Sequence, residues 1–307
     1  MITLAAINIR DLFVVTMLFG IFSFVAALLF LDLDAVDVAF TEAAVGAGVT
    51  TVLMLSTLRL TKRFENKANR HSLLALVVVT ITGAALIYGT MDFPLMGDAN
   101  APVHQHVAPD YLALTPEKIG VPNVVTAVLA SFRGYDTLGE TVVIFSAGIA
   151  VMLMLGLVHG NRYEETGTNL VLWVVVKPFI ALIMLFALYV QMHGDFGAGG
   201  GFQAGVIFAA GMILYGLVYG GSAARRVVPP DLLPRLAALG VLIYAGTGLA
   251  SVFKGYEFLD YNALSADPVS GQHLGILLVE AGVGITVFST VLLIFYALSG
   301  RGVKRRE

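Results

Sequence analysis

Apolar residues in this chain run in blocks of about twenty, separated by short polar or Gly/Pro-rich segments. A helix rises 1.5 Å per residue, so about 20 apolar residues cross the hydrocarbon core of a bilayer. By that measure eight spans are predicted, over 11–31, 37–58, 72–91, 137–158, 169–191, 203–221, 236–253 and 274–298. The segment 122–134 is shorter and carries Arg133, which predicts an interfacial or re-entrant helix instead of a ninth crossing. Backbone groups in lipid must be satisfied within the segment, and no period-2 alternation marks a barrel. The pattern therefore predicts an all-α polytopic membrane protein with about eight transmembrane helices and one short interfacial or re-entrant helix. The run from Asp11 to Leu31 is too long and continuous for a signal peptide and is expected to stay as an anchor.

Composition sharpens this picture. Of 307 residues, 58% are hydrophobic and only 13% charged, about half the charge of a soluble domain. The formal net charge of −3, with no basic patch interleaved with aromatics, argues against a nucleic-acid partner. Cysteine is absent, so this chain has no disulfide, no thiolate zinc site and no cysteine-ligated iron–sulfur cluster. The six histidines (His71, His104, His106, His159, His193, His273) are scattered. His104-x-His106 falls in a Pro-rich loop and reads as solvated. No cofactor is expected.

Basic residues set the expected orientation. Arg59, Lys62, Arg63, Lys67 and Arg70 share one side with Arg10, Arg162, Arg225, Arg226, Arg235 and the tail Arg301, Lys304, Arg305, Arg306. The other side has only Lys118, Arg133 and Lys254. By the positive-inside rule both termini are expected in the cytoplasm. On the outer side, Asp32, Asp34 and Asp37 form an acidic hairpin. Residues 92–120, with Pro94, Pro102, Pro109 and Pro116, read as a loop without a long helix. The run His193-Gly-Asp195-Phe-Gly-Ala-Gly199-Gly200-Gly201-Phe202 joins the fifth and sixth spans. It is no nucleotide loop, because no strand precedes it and no Lys-Ser/Thr follows. The short loop 159–168 divides the chain into two halves, 1–160 and 161–307, of four spans each.

The candidate chemistry lies in ionisable residues inside apolar stretches: Glu42, Glu140, Glu280 and Lys177. Such a residue costs ~3 kcal/mol or more in lipid and marks an ion or proton path by default. Each also has a structural reading. Glu42 lies five residues past Asp37, only ~7.5 Å along a helix, so it can snorkel; the small residues around it suit close helix packing. Glu140 can serve the helix dipole with Thr137 as N-cap. Lys177, followed by Pro178, is expected about eight residues from the inner edge, near mid-membrane; it is read as a tuner of a nearby acid or as a snorkelling side chain. Glu280 is expected six residues into the last span. Asp195 and His193 read as outer loop residues near an ion entrance. Together with Asp37 the three glutamates would form a negative funnel for cations. That is half a path, and neighbouring subunits are expected to complete it.

These residues resemble a known family. The stretch Asp34-Ala-Val-Asp37-Val-Ala-Phe-Thr-Glu42-Ala-Ala-Val-Gly46-Ala-Gly and the stretch from Val121-Pro122 through Arg133-Gly-Tyr-Asp136-Thr-Leu-Gly to Glu140 are similar to the C-terminal region of the large A subunit of Mrp-type (multiple resistance and pH) sodium/proton antiporters. Gly199-Gly-Gly-Phe202-Gln-Ala-Gly resembles the B subunit. The resemblance covers roughly 11–158 as the A-type tail and 161–300 as the B subunit. It implies a non-enzymatic membrane subunit of a multisubunit antiporter that moves protons and sodium. Its partners would be large proton-channel subunits and small membrane subunits, in the bacterial inner membrane. Glu42 and Glu140 match acids expected in ion transfer, and the three glycines with Phe202 match the B-subunit motif. The chain departs from the family at Val36 and Ala198, where proline is usual, and the second change weakens any expectation of a rigid loop. The family is related to the membrane arms of complex I and membrane-bound hydrogenases. An ion-pumping arm of a hydrogenase or ferredoxin oxidoreductase is therefore an alternative, as is a scaffold between channel subunits.

Overall fold

The computed structural model describes residues 1–66, 72–156 and 170–300. The expected boundary at 160/161, His71, His159, Lys67, Arg70, Arg162 and the basic tail from Arg301 lie outside them. Among the described residues there is no strand, only an isolated bridge between Asp11 and Phe64. Eight helices are long and apolar enough to cross a membrane. They are α1 (Leu12–Asp32), α2 (Val36–Leu58), α3 (Ser72–Thr90), α4 (Gly134–Leu155), α5 (Leu170–His193), α6 (Gly201–Tyr219), α7 (Leu233–Phe253) and α8 (Pro268–Ser299).

Polar residues decide where these helices begin. Asp11 caps α1, accepting from the Phe13 N–H, and a two-pronged bond from Arg63 holds it from the far end of α2. That guanidinium keeps the Asp11 carboxyl below its usual range. Asp34, in left-handed backbone (φ 57°), makes the turn into α2, a conformation aspartate tolerates better than most residues. At the last helix, Asp267 accepts from the Ser270 N–H, and Pro268 takes the first helical position, where its missing N–H costs nothing. This cap starts α8 six residues before the apolar run. Glu280 is therefore its thirteenth residue, well over one turn deeper than the sixth place expected. The fourth span likewise opens at Gly134, so Thr137 lies inside the helix and is not its cap.

The core runs along α8, whose Ile276, Val279, Val283, Val287, Leu292 and Leu293 are all buried between α6, α7 and α4. Close backbone approach makes this possible. A Cβ at Gly201 would overlap the Glu280 carbonyl oxygen, and one at Gly205 would lie 2.6 Å from the Gly284 carbonyl oxygen. The small residues thus set the α6–α8 distance. α2 is interrupted by a π-helical stretch, Ala43–Thr50, between α-helical Val36–Glu42 and Thr51–Leu58. α5 continues through Pro178. α3 is exposed along its length.

Between α3 and α4 the chain is more helical than a Pro-rich loop predicts. Val107–Leu114 forms a helix that runs on through Thr115–Ile119 and stops at Gly120 (φ 79°). Pro109 falls in its first turn, where proline is tolerated. Next comes the predicted short helix, over 124–132, capped by Asn123 and ending at Arg133 before α4 begins.

Candidate functional site

The loop 194–200 between α5 and α6 is where distant parts of the chain meet. Asn123 holds it: its side-chain amide donates to the carbonyls of Gly194 (3.1 Å) and Gly197 (2.8 Å), while its N–H donates to Asp195 O (3.0 Å). Thr126 adds a 2.7 Å bond to the Gly194 carbonyl. The same Asn123 caps the short helix through the Val125 N–H, so one side chain fixes the loop against that helix. Where the family usually has proline, Ala198 sits in a loop held by these external bonds. Gly200 has φ 113°, a conformation closed to most other residues. On the α8 side, Asp195 pairs with His273 at 3.0 Å. His193 stacks on Tyr189 with ring centroids 4.8 Å apart and lies against Gly197 of the loop, where a Cβ would come within 2.9 Å of its Nε2.

Behind the loop lies a cavity of about 260 Å³. Asp37 from α2, Glu140 from α4 and Glu280 from α8 all line it, together with Gly199, Gly200, Gly201 and Phe202. Asp37 Oδ1 accepts the Gly199 N–H at 3.2 Å. Glu280 is pinched between two glycines: Cβ atoms there would lie 2.9 Å (Gly194) and 3.1 Å (Gly200) from its carboxylate oxygens. The start of α6 points its unpaired N–H groups at this space, which favours negative charge nearby. Among the described lining residues there is no lysine or arginine. Three carboxylates around one space, with no basic side chain among the lining residues, attract cations.

The structure thus brings together Asp37, Glu140, Glu280 and the glycine motif, but leaves two candidates apart. Glu42 faces α1: a Cβ at Gly46 would lie 2.7 Å from Glu42 Oε1 and 2.5 Å from Ser23 Oγ. It follows Thr41 in sequence, and one helical step turns it off the cavity that Thr41 lines. Lys177 and its neighbour Pro178 are exposed on α5 and do not line the cavity. One turn below Lys177, Trp173 stacks edge-on against Tyr219 at the end of α6 (5.4 Å), and the Tyr219 hydroxyl bonds the Trp173 carbonyl. Trp and Tyr mark membrane–water interfaces. Lys177 stands one helical turn from that pair, as the eighth residue of α5.

Three polar residues went unremarked in the sequence as site residues. Gln203, buried to 9% exposure, lines the cavity and donates to Thr41 Oγ1 at 3.0 Å. Its signal was an amide one turn into an apolar helix. Asn123 was foreshadowed by Pro-Asn ahead of a short apolar run, a helix-start pattern. Thr41 carried no signal in the sequence.

The described residues define the class: an all-helical protein with eight helices able to cross a membrane and an acid-lined cavity at a glycine-rich helix start. Comparison with known proteins narrows it. Residues 171–293 match the domain related to the MnhB subunit of Na+/H+ antiporters, residues 1–63 match the D subunit of MBH, and residues 68–169 match the E subunit of MBH. A putative antiporter subunit mnhB2 of Staphylococcus haemolyticus (strain JCSC1435) is 33% identical over 43% of this chain and 95% of its own length. A probable K(+)/H(+) antiporter A/B subunit of Rhizobium meliloti (strain 1021) is 28% identical over 91% of this chain but 31% of its own length. In the solved Mrp complex from Dietzia sp. DQ12-45-1b, one chain superposes with a TM-score of 0.75 at 28% identity, covering 100% of this chain and 34% of that one. The chain belongs to the MnhB-related family of antiporter subunits. It spans about a third of the length of the Rhizobium relative. Asp37 and Thr41 come from the first matched region, Glu140 from the second, and the glycines, Gln203 and Glu280 from the third. The cavity is built at the seam of all three.

Proposed function

We propose that this chain is a membrane subunit of a multisubunit cation/proton antiporter, and that the seam cavity is a station on its ion path. The observation that carries this is the convergence of Asp37, Glu140 and Glu280 from three helices onto one space without a basic residue. Protons and sodium are the ions proposed, with no cofactor bound by this chain. Large proton-channel subunits and small membrane subunits are the proposed partners, and they cover the exposed faces of α1, α3 and α5. The proposed setting is the bacterial plasma membrane with both termini cytoplasmic, which puts the Trp173–Tyr219 pair and Lys177 at the inner face. Lys177 and Glu42 are proposed to anchor and pack, leaving ion transfer to the cavity acids.

The test is pH-gradient-driven sodium exchange in vesicles holding the assembled complex. Asp37→Asn with Glu280→Gln abolishes exchange while every subunit still assembles. Normal exchange by the assembled double variant overturns the proposal. The matches to the D and E subunits of MBH favour one second reading, an ion-pumping arm of a redox complex. Iron–sulfur subunits copurifying with the chain would select it.

A further inference from the structure

The hydrogen bonds in the acid cavity run in one direction and leave oxygens facing oxygens. Thr41 Oγ1 donates to the Asp37 carbonyl of its own helix at 2.9 Å, so its proton is committed and only lone pairs face Gln203. The Gln203 amide answers with its nitrogen, which donates to Thr41 Oγ1 at 3.0 Å. An amide that turns its nitrogen to one side turns its carbonyl oxygen to the other. Gln203 Oε1 is thereby aimed at Gly200 and Glu280. The place a Cβ would take at Gly200 lies 3.6 Å from Gln203 Oε1 and 3.1 Å from Glu280 Oε1.

Among the described residues, no donor reaches Gln203 Oε1 or either oxygen of Glu280. Asp37 Oδ1 takes the Gly199 N–H, and its second oxygen has no donor among those residues. A buried acceptor without a donor is costly, and Gln203 is only 9% exposed. The glycines keep the space between these oxygens open: any side chain at Gly200 would fill it, and a Cβ at Gly194 would come within 2.9 Å of Glu280 Oε2.

The donor set indicates what belongs there. Carboxylate, amide and hydroxyl oxygens suit hard cations, and the described lining residues include no histidine, cysteine or methionine for a softer one. Among the described residues no three Asp, Glu, His or Cys side chains are placed to share one metal ion, which argues against a divalent site. A monovalent ion needs less charge around it, and the neutral Gln203 oxygen supplies a ligand without adding any.

We propose that Gln203 Oε1, the Glu280 carboxylate and the free oxygen of Asp37 bind a partly dehydrated alkali-metal cation, sodium or potassium, and that Thr41 is the positioning residue that turns the Gln203 carbonyl toward it. This rests on the cavity being an ion station and names the station's ligands. A proton is satisfied by a single carboxylate oxygen, whereas a cation shedding its water takes several oxygens at once. The amide therefore serves the cation.

The test is exchange in vesicles holding the assembled complex, followed across sodium and, in separate runs, potassium concentrations. Gln203→Leu keeps the bulk of the side chain and removes the oxygen, and Thr41→Val removes the hydroxyl that orients it. Each raises the half-saturating concentration of the carried cation about tenfold or more, the loss typical of groups that orient a metal ligand, and exchange recovers at saturating cation. Thr41→Ser, which keeps the hydroxyl, restores the parent's half-saturating concentration. A lower maximal rate with that concentration unmoved is the mark of a merely structural role and overturns the proposal. So does a change confined to the pH dependence, the mark of a proton held between Glu280 and Gln203. Should Gln203→Leu fail to assemble, melting of the purified complex gives a second readout. The parent melts later in sodium or potassium chloride than in choline chloride of equal ionic strength, as ligand binding requires, and Thr41→Val needs about tenfold more of the same salt for the same shift. The salt with the larger effect identifies the bound ion, and a parent that responds to neither overturns the site. The two readings fail separately: normal exchange by the assembled Asp37→Asn, Glu280→Gln variant removes the ion station, whereas unchanged cation dependence in Gln203→Leu and Thr41→Val removes only these ligands.

Discussion

α8 and α3 are both apolar spans, yet 61% of the α8 window is buried inside this chain and none of the α3 window is. Their mean apolarity does not explain the difference, because both are oily on every face. What separates them is small residues. Gly275, Gly282 and Gly284 let α8 touch the backbones or rings of its neighbours, while Gly83 and Gly89 of α3 meet nothing within 4 Å among the described residues. In lipid there is no hydrophobic drive for helices to associate, so close packing and polar bonds do the work. The helices with such contacts build a self-contained core, and α3 is left for lipid or other subunits. The acid cavity lies on the border: Glu280 stands on the packed α8, while Asp37 and Glu140 reach in from α2 and α4, whose windows are each only 11% buried.

The contrast can be broken hardest at Gly201. Gly201→Val places a branched side chain where even a Cβ overlaps the Glu280 carbonyl; overpacking of this kind costs about 3 kcal/mol. The complex is expected to lose this subunit in detergent extracts, as blotting after purification would show. Next comes Asn123→Ala. It removes a cap and leaves the Gly194 and Gly197 carbonyls short of a donor, worth roughly 1–3 kcal/mol, and frees the loop over Glu280. Exchange is expected to drop severalfold with assembly retained, whereas an unchanged rate would show that the loop geometry is irrelevant.

Leu76→Ala on α3 sharpens the comparison from the other side. Its side chain is 62% exposed, so the thermal stability of this chain alone should move by less than about 0.5 kcal/mol. In the full complex the shift should be larger if partner subunits cover that face. The smallest effect belongs to Asp11→Asn. The carboxyl is depressed by Arg63 from its ordinary 3.8, so its stabilising contribution is present above that value and lost as pH falls through the lower folded-state one. At neutral pH the variant should melt slightly earlier than the parent, and the gap should close in strong acid.

Much of this architecture was legible in the apolar blocks, since lipid demands continuous helices of known length. All eight spans and the short helix before α4 follow from that rule alone. Helix starts were less legible, because hydropathy is blind to caps: Asp267 and Ser270 extend α8 ahead of its apolar run, so that Glu280 is its thirteenth residue. The convergence of Asp37, Glu140 and Glu280 is a tertiary fact that no local pattern carries. Lys177 keeps its expected place eight residues into α5, but its side chain is exposed and apart from the cavity acids.

An ion path through the seam cavity requires that the cavity be wet in the assembled complex. A density map of the complex at a resolution that shows water and ions tests this directly. Ordered water or a cation within bonding distance of Asp37 and Glu280 is the expected result. A cavity filled by a lipid tail or by a partner's apolar side chain would contradict it.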